Sequence, residues 1–114
     1  MHELSIALNI IDIAREESER RGGCRVVSIF LRVGPLSGVV TEALESAFQI
    51  AREDSPFSDT RLVIEQTPVL VRCPRCGPAR GAVSAQMLRC RGCGSPGGNV
   101  EAGRELEVHA MEIL

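Results

Sequence analysis

Residues 73–99 read CPRCGPARGAVSAQMLRCRGCGSPGGN, and they divide the chain. The segment holds four arginines, six glycines and three prolines but no carboxylate. It has neither the helical nor the strand period, so something other than an apolar core must hold it. Cys73 and Cys76 form one CxxC pair, and Cys90 and Cys93 form a second, with thirteen residues between the pairs. Two intervening residues let both thiolates of a turn face one ion, and Gly77 and Gly94 free the backbone after each pair. Together the four cysteines supply the soft, closed tetrahedral set that Zn²⁺ accepts. Such a site leaves no open position for water, so the reading is structural zinc and not catalytic zinc. Cys24, the fifth cysteine, stands alone and reads as a small buried hydrophobe.

Strand patterning flanks this segment. Upstream, Leu62 to Val71 reads as a strand, with Pro68 marking a bulge or an edge position. Downstream, Glu105 to Leu114 resumes the period of two, with Leu106, Val108 and Ala110 on one face. Residues 73–99 are thus an excursion between two strands of one domain. Further upstream, Leu4 to Arg21 reads as a helix with a polar stripe of Ser5, Asn9, Asp12, Glu16 and Glu19. Leu4, Ile6, Ala7, Leu8, Ile10, Ile11, Ile13 and Ala14 give it a wide apolar face that needs a cover. Gly22 and Gly23 end it. Arg25 to Val33 is a strand with Val27, Ile29, Leu31 and Val33 inward, and Gly34-Pro35 turns the chain. Thr41 is placed to cap a second helix, whose buried stripe is Leu44, Ala47, Phe48 and Ala51. The expected fold is α+β, a mixed α/β arrangement of two helices on a small three-stranded sheet with an inserted zinc-ribbon-like module. The expected domains are residues 1–72 with 100–114, and residues 73–99.

Composition narrows the function. The 114 residues carry a net charge of −2, and all thirteen basic residues are arginine. No whole-chain field draws this protein to nucleic acid or to anionic membrane. No apolar run approaches the ~20 residues of a membrane helix. Met1-His2-Glu3-Leu4 has no basic region before its apolar residues, so it is not read as a signal peptide. Paired cysteines in a reducing cytoplasm point to metal and not to disulfide. There is no Ser/His/Asp set and no GxxxxGK[ST] phosphate loop, so the chain is not read as an enzyme.

The remaining chemistry lies at the first residues. The amine of Met1, the amide nitrogen of His2 and the His2 imidazole can chelate one ion in adjacent rings. Glu3 can complete the set through its amide nitrogen or its carboxylate. An all-nitrogen planar set suits Ni(II) or Cu(II). His109, the second histidine, falls on the strand face away from Leu106 and reads as a surface residue.

The residues then match a known pattern from end to end. Its parts are Met1-His2-Glu3-Leu4-Ser5-Ile6-Ala7, Leu31-Arg32-Val33-Gly34-Pro35-Leu36-Ser37-Gly38-Val39, Phe48, the two cysteine pairs, and Gly103-Arg104-Glu105-Leu106-Glu107-Val108. The sequence resembles the HypA/HybF family of hydrogenase/urease nickel-incorporation proteins. That resemblance implies a nickel metallochaperone, with Ni²⁺ as transient cargo at Met1, His2 and Glu3 and structural Zn²⁺ at Cys73, Cys76, Cys90 and Cys93. It implies two partners, a nickel-binding GTPase and the [NiFe]-hydrogenase large subunit, with urease maturation proteins as further partners. The sequence departs from the family at Gly77-Pro78-Ala79 and Leu88-Arg89, where an aromatic is usual nearby. The alternative is a zinc-ribbon nucleic-acid-binding or interaction module. The three phenylalanines lie outside 73–99 and there is no Tyr or Trp, so stacking surfaces for single strands are absent from that segment.

Overall fold

The computed structural model describes residues 3–114. Its elements are α1 (Glu3–Arg20), β1 (Val26–Val33), α2 (Thr41–Ala51), β2 (Arg61–Gln66), β3 (Leu70–Cys73), β4 (Gly77–Gly81), β5 (Val100–Ala102) and β6 (Leu106–Ile113). The architecture is α+β, and the described strands form two sheets, in the orders β2-β1-β6 and β4-β3-β5. The chain divides into two compact units. One comprises Met1–Leu31, Val39–Glu65 and Glu107–Leu114, and the other comprises Arg32–Gly38 and Gln66–Leu106. The unit containing the cysteines is thus wider than residues 73–99. No helix among the described residues is long and apolar enough to cross a membrane.

In the first unit, α1 and α2 pack on each other. Ala7, Ile10, Ile11 and Ala14 are the buried stripe of α1, at the i, i+3, i+4, i+7 spacing of one helical face. This stripe is narrower than the apolar face expected from the sequence, because Leu4, Leu8 and Ile13 remain 44–49% exposed. The α1 terminus follows the double-glycine rule. Gly22 and Gly23 take positive φ, the Gly23 N–H donates to Ser18 O at 2.7 Å, and the Gly22 N–H donates to Glu19 O at 3.1 Å. Leu44, Ala47 and Phe48 are buried on α2, whereas Ala51 is only half-buried. Thr41 does not cap this helix. It is the first helical residue, and Val40, which has no capping oxygen, holds the N-cap position.

Strand β1 is the middle strand, with Ile29, Leu31 and Val33 buried. Val26 and Ser28 are buried as well, so both faces of its first half are covered. The Leu114 N–H donates to Arg25 O, and Ser28 Oγ donates to Glu112 Oε1, so β6 runs antiparallel to β1. Thr60 Oγ1 donates to Val26 O at 2.7 Å, satisfying a hydroxyl that is 2% exposed. The alternation expected for β6 holds only as far as Val108. His109 and Ala110 are both exposed, after which Met111 and Ile113 turn inward. Ala110 is thus exposed where Leu106 and Val108 are half-buried.

The single strand expected over 62–71 is two strands, β2 and β3. Pro68 has no N–H to donate to a ladder. The chain therefore leaves the first sheet after Gln66 and enters the second at Leu70. Strand β3 pairs antiparallel with β4, with a register shift between Val71 and Cys73, and with β5, with a shift between Leu70 and Val71. Val69, Val71 and Ala82 form a small core, joined by Leu36, Ala85, Leu88 and Val100. The turn at Gly34-Pro35 docks on Gly103-Arg104-Glu105. The Gly34 N–H donates to Glu105 O at 2.8 Å and the Leu36 N–H to Gly103 O at 2.7 Å. Only glycine fits position 34, since a Cβ there would lie 2.1 Å from Gly103 O. The two nearest atoms, O and C of Gly103, are backbone, so no rotamer relieves the clash. Gly34→Ala should therefore destabilise by about 2 kcal/mol or more, at or above the middle of the overpacking range. Urea denaturation measures this, and an unchanged midpoint would rule out the close approach.

The Glu105 carboxylate fastens the same junction. Its Oε1 accepts from Thr67 Oγ1 at 2.7 Å and from the Gly103 N–H at 2.8 Å. The Thr67 hydroxyl foremost holds the carboxyl below the ordinary glutamate value of 4.5. A carboxylate whose folded pKa is depressed stabilises the fold above its unfolded pKa, and that contribution fades as pH falls through the folded pKa. Glu105→Gln should flatten the acid side of the stability profile below pH 4.5, measured as urea midpoints across that range.

Candidate metal centre

Strand β3 ends at Cys73, and the turn after it carries Cys76 into β4. Cys90 is placed by its bridge to Ala82, and its N–H donates to Ser95 O at 2.9 Å. The Gly94 N–H closes the turn on Cys90 O at 2.8 Å, with Gly77 and Gly94 both at positive φ. These two knuckles bring Cys73, Cys76, Cys90 and Cys93 together, all four Sγ atoms lying within 4.8 Å of one another. Cys73 Sγ and Cys93 Sγ are 3.5 Å apart. A tetrahedral ion with ~2.3 Å metal–sulfur bonds needs sulfurs ~3.8 Å apart, so the set closes on one ion with small adjustments. Cys73 and Cys90 are buried, while Cys76 and Cys93 are exposed.

The electrostatics call for a cation. The Ser95 hydroxyl and N–H hold the Cys93 thiol down to about 6. The Cys93 N–H holds Cys90 below its ordinary range, against the opposing effect of burial. Hydrogen bonds to Cys93 and then Cys90 push Cys76 up to about 12. Four sulfurs this close cannot all ionise on their own, because each thiolate keeps the next one protonated. A divalent ion removes that conflict, and soft thiolates suit zinc-type metals. Among the described residues, these cysteines are the one group of three or more His, Cys, Asp or Glu placed to hold a metal.

Among the described residues, the others singled out in the sequence form no further metal-binding group. Met1 and His2 lie outside the described residues, and Glu3 is the first residue of α1. Cys24 is half-buried and in no metal-holding group among the described residues, with its carbonyl accepting from Ser18 Oγ at 2.7 Å. His109 is not a bare surface residue. Its Nε2 lies 3.1 Å from Glu65 Oε2, and its ring meets Phe30 edge-on with centroids 6.3 Å apart. Parity put His109 on the correct face, but nothing in the sequence paired it with Glu65. The hydrogen bonds from Ser95 to Cys93 were equally invisible, although a serine two residues after a ligand cysteine is the available signal.

The model of the family described as "Hydrogenase/urease nickel incorporation, metallochaperone, hypA" matches residues 1–113. This chain belongs to the HypA family. The hydrogenase maturation factor HypA of Chloroflexus aggregans is 43% identical over 112 residues, covering 98% of each chain. HypA of Deinococcus radiodurans is 42% identical over 108 residues, covering 95% of this chain and 89% of its own. Among solved structures, the Ni metallochaperone HypA from Helicobacter pylori superposes with a TM-score of 0.69. It is 23% identical and covers 100% of this chain and 98% of its own, which supports the fold. The HypA family is one of nickel-incorporation metallochaperones acting in hydrogenase maturation, so the chain is a metallochaperone and not an enzyme.

Proposed function

We propose that this protein binds Ni(II) through Met1, His2 and Glu3, holds structural zinc at Cys73, Cys76, Cys90 and Cys93, and passes nickel to the [NiFe]-hydrogenase large subunit with a partner GTPase. Residues 1–72 with 100–114 are the nickel-binding domain, and 73–99 the zinc module. The observation that carries the reading is the separation of two metal chemistries. The four-thiolate cluster is a closed set with no open position, suited to a resident ion. The nitrogen donors of Met1 and His2 directly precede the first residue of α1. The first four N–H groups of a helix have no intrahelical partner. Amide nitrogens at this point can therefore give up their protons to a metal without breaking the helix ladder. No phosphate loop is present in the sequence, so nucleotide hydrolysis falls to the partner. The reduced thiols that the zinc site requires suit the cytoplasm. Urease is a second client on this reading, in keeping with the family description.

Metal analysis and nickel titration of protein with its native, untagged N-terminus test this. One zinc per chain should persist while nickel binds separately. Displacement of zinc by nickel, with sulfur-to-nickel charge-transfer absorption, would move the cargo to the cysteines and defeat the proposal.

A further inference from the structure

The ionised side chains are unevenly divided. The first unit has thirteen carboxylates against six arginines, a formal charge of −7, and the second has two against seven, a formal charge of +5. A divalent ion on four thiolates contributes −2, so the second unit stays positive when loaded. From Gln66 to Val100 there is no Asp or Glu. Of the five arginines in that span, only Arg72 has a carboxylate partner among the described residues, Glu101 at 3.6 Å.

Two of the uncompensated arginines, Arg89 and Arg91, flank an exposed apolar tip. Val83 is 44% exposed and Met87 is 50% exposed. The Ser84 N–H donates to Met87 O and the Met87 N–H to Ser84 O, both at 3.2 Å, and the Val83 N–H donates to Arg89 O. The tip is therefore held by its own backbone and is preorganised, which lowers the ordering cost of binding. Arg89 Nη1 donates to Gly94 O at 3.0 Å and Arg91 Nη2 to Val83 O at 3.3 Å. These carbonyls position the two guanidinium groups without neutralising them. Arg80 lies across the second cysteine knuckle, its Nη2 only 3.1 Å from where a Cβ on Gly92 would sit.

We propose that this tip docks an acidic segment of a partner protein that carries apolar side chains among its carboxylates. Val83 and Met87 take the apolar side chains, and Arg75, Arg80, Arg89 and Arg91 take the carboxylates. A protein segment fits better than nucleic acid. The second unit contains no aromatic residue and no histidine, so bases would find no stacking platform. Exposed Val and Met beside arginine match the apolar-plus-charged composition of a protein interface. The surface does not depend on nickel binding at Met1 and His2, and it fails or stands separately.

Fluorescence anisotropy on the full chain loaded with zinc tests the docking. The probes are a labelled synthetic peptide alternating glutamate pairs with leucine, the same peptide with glutamine for glutamate, and a single-stranded oligonucleotide. The glutamate peptide should bind with an affinity that falls as salt rises, and the glutamine peptide should bind far more weakly. Arg75→Glu with Arg80→Glu should cost about tenfold in affinity, as expected for several exposed ion pairs lost together. Met87→Ser should also weaken binding. Arg75 and Arg80 make no hydrogen bond that holds the tip, and unchanged zinc content confirms the fold of each variant. Equal binding of the two peptides, or no loss in the double variant, would overturn the proposal. So would preferential binding of the oligonucleotide, or concentration-dependent self-association that the double variant abolishes, which would make a second copy the occupant.

Discussion

Replacing His2 by alanine should abolish tight nickel binding while zinc content and helical signal stay unchanged. In the proposed site His2 is the residue that sets an imidazole next to the Met1 amine. Its loss opens a chelate ring and removes a nitrogen that planar Ni(II) prefers. Loss of a mere supporting hydrogen bond to a ligand costs 10–100-fold in metal affinity, so loss of the ligand itself should cost roughly 100-fold or more. Residues added before Met1 form an independent test. They keep the imidazole but turn the amine, which titrates at ~7.7, into an amide with a far less acidic proton. Binding to the native chain should strengthen as pH rises through the amine's titration, because metal and proton compete for the same nitrogen. Glu3→Ala separates two roles for that residue. Its effect should be small if Glu3 lends its amide and large if it lends its carboxylate. Isothermal titration against nickel at several pH values reads all of these. An extended or His2-lacking chain that binds nickel as tightly as the native one would sink the N-terminal assignment.

Replacing Cys73 or Cys90 by serine should release zinc and unfold Gln66–Leu106 in preference to the helices. The reason is the small size of the apolar core there. Val69, Val71 and Ala82 are its buried members, with Leu36, Ala85, Leu88 and Val100 only partly buried. Such a core cannot offset the backbone entropy of some forty residues, at ~1–2 kcal/mol each, without help. Zinc supplies it, since binding to four-ligand peptides contributes ~10–16 kcal/mol to folding. Cys73 and Cys90 are also the two buried ligands, so serine there buries a hydroxyl as well as opening the site. Amide exchange should show 66–106 losing protection first while Ala7–Ala14 of α1 stays protected. A zinc-free variant with full protection over 66–106 would show that the small sheet stands without metal.

The parts legible in the sequence were those written in a local period. The four cysteines, α1 with its glycine stop, Ile29, Leu31 and Val33 of β1, and Leu44, Ala47 and Phe48 of α2 could all be read from spacing. What escaped reading depended on a partner far along the chain. The apolar residues of α1 look alike, but only those facing a neighbour are buried, which left Leu4 and Leu8 outside. The strand expected over 62–71 treats Pro68 as a bulge or an edge position, whereas the two halves enter different sheets on either side of it. Gly34 and Gly103 are 69 positions apart, and nothing local to either says that their backbones touch. The pairing of His109 with Glu65 is of the same kind.

The strand order also sets a timetable for synthesis. Ser28 of β1 bonds Glu112 of β6 across 84 positions, and β1 needs both β2 and β6 as neighbours. On the ribosome, α1 through β2 emerge early, but one edge of β1 stays bare until every residue of the cysteine unit has been made. The nascent helices spend that interval beside an unpaired strand edge, which invites wrong pairing. The cysteine unit, complete at Leu106, can close around its ion just before β6 arrives. Thr67 and Glu105, joined at 2.7 Å, then bring together the two ends of the excursion. The remaining loop is short, and closing a short loop costs less entropy than closing one of some forty residues. Metal supply thus becomes a determinant of how quickly the helical unit is sealed.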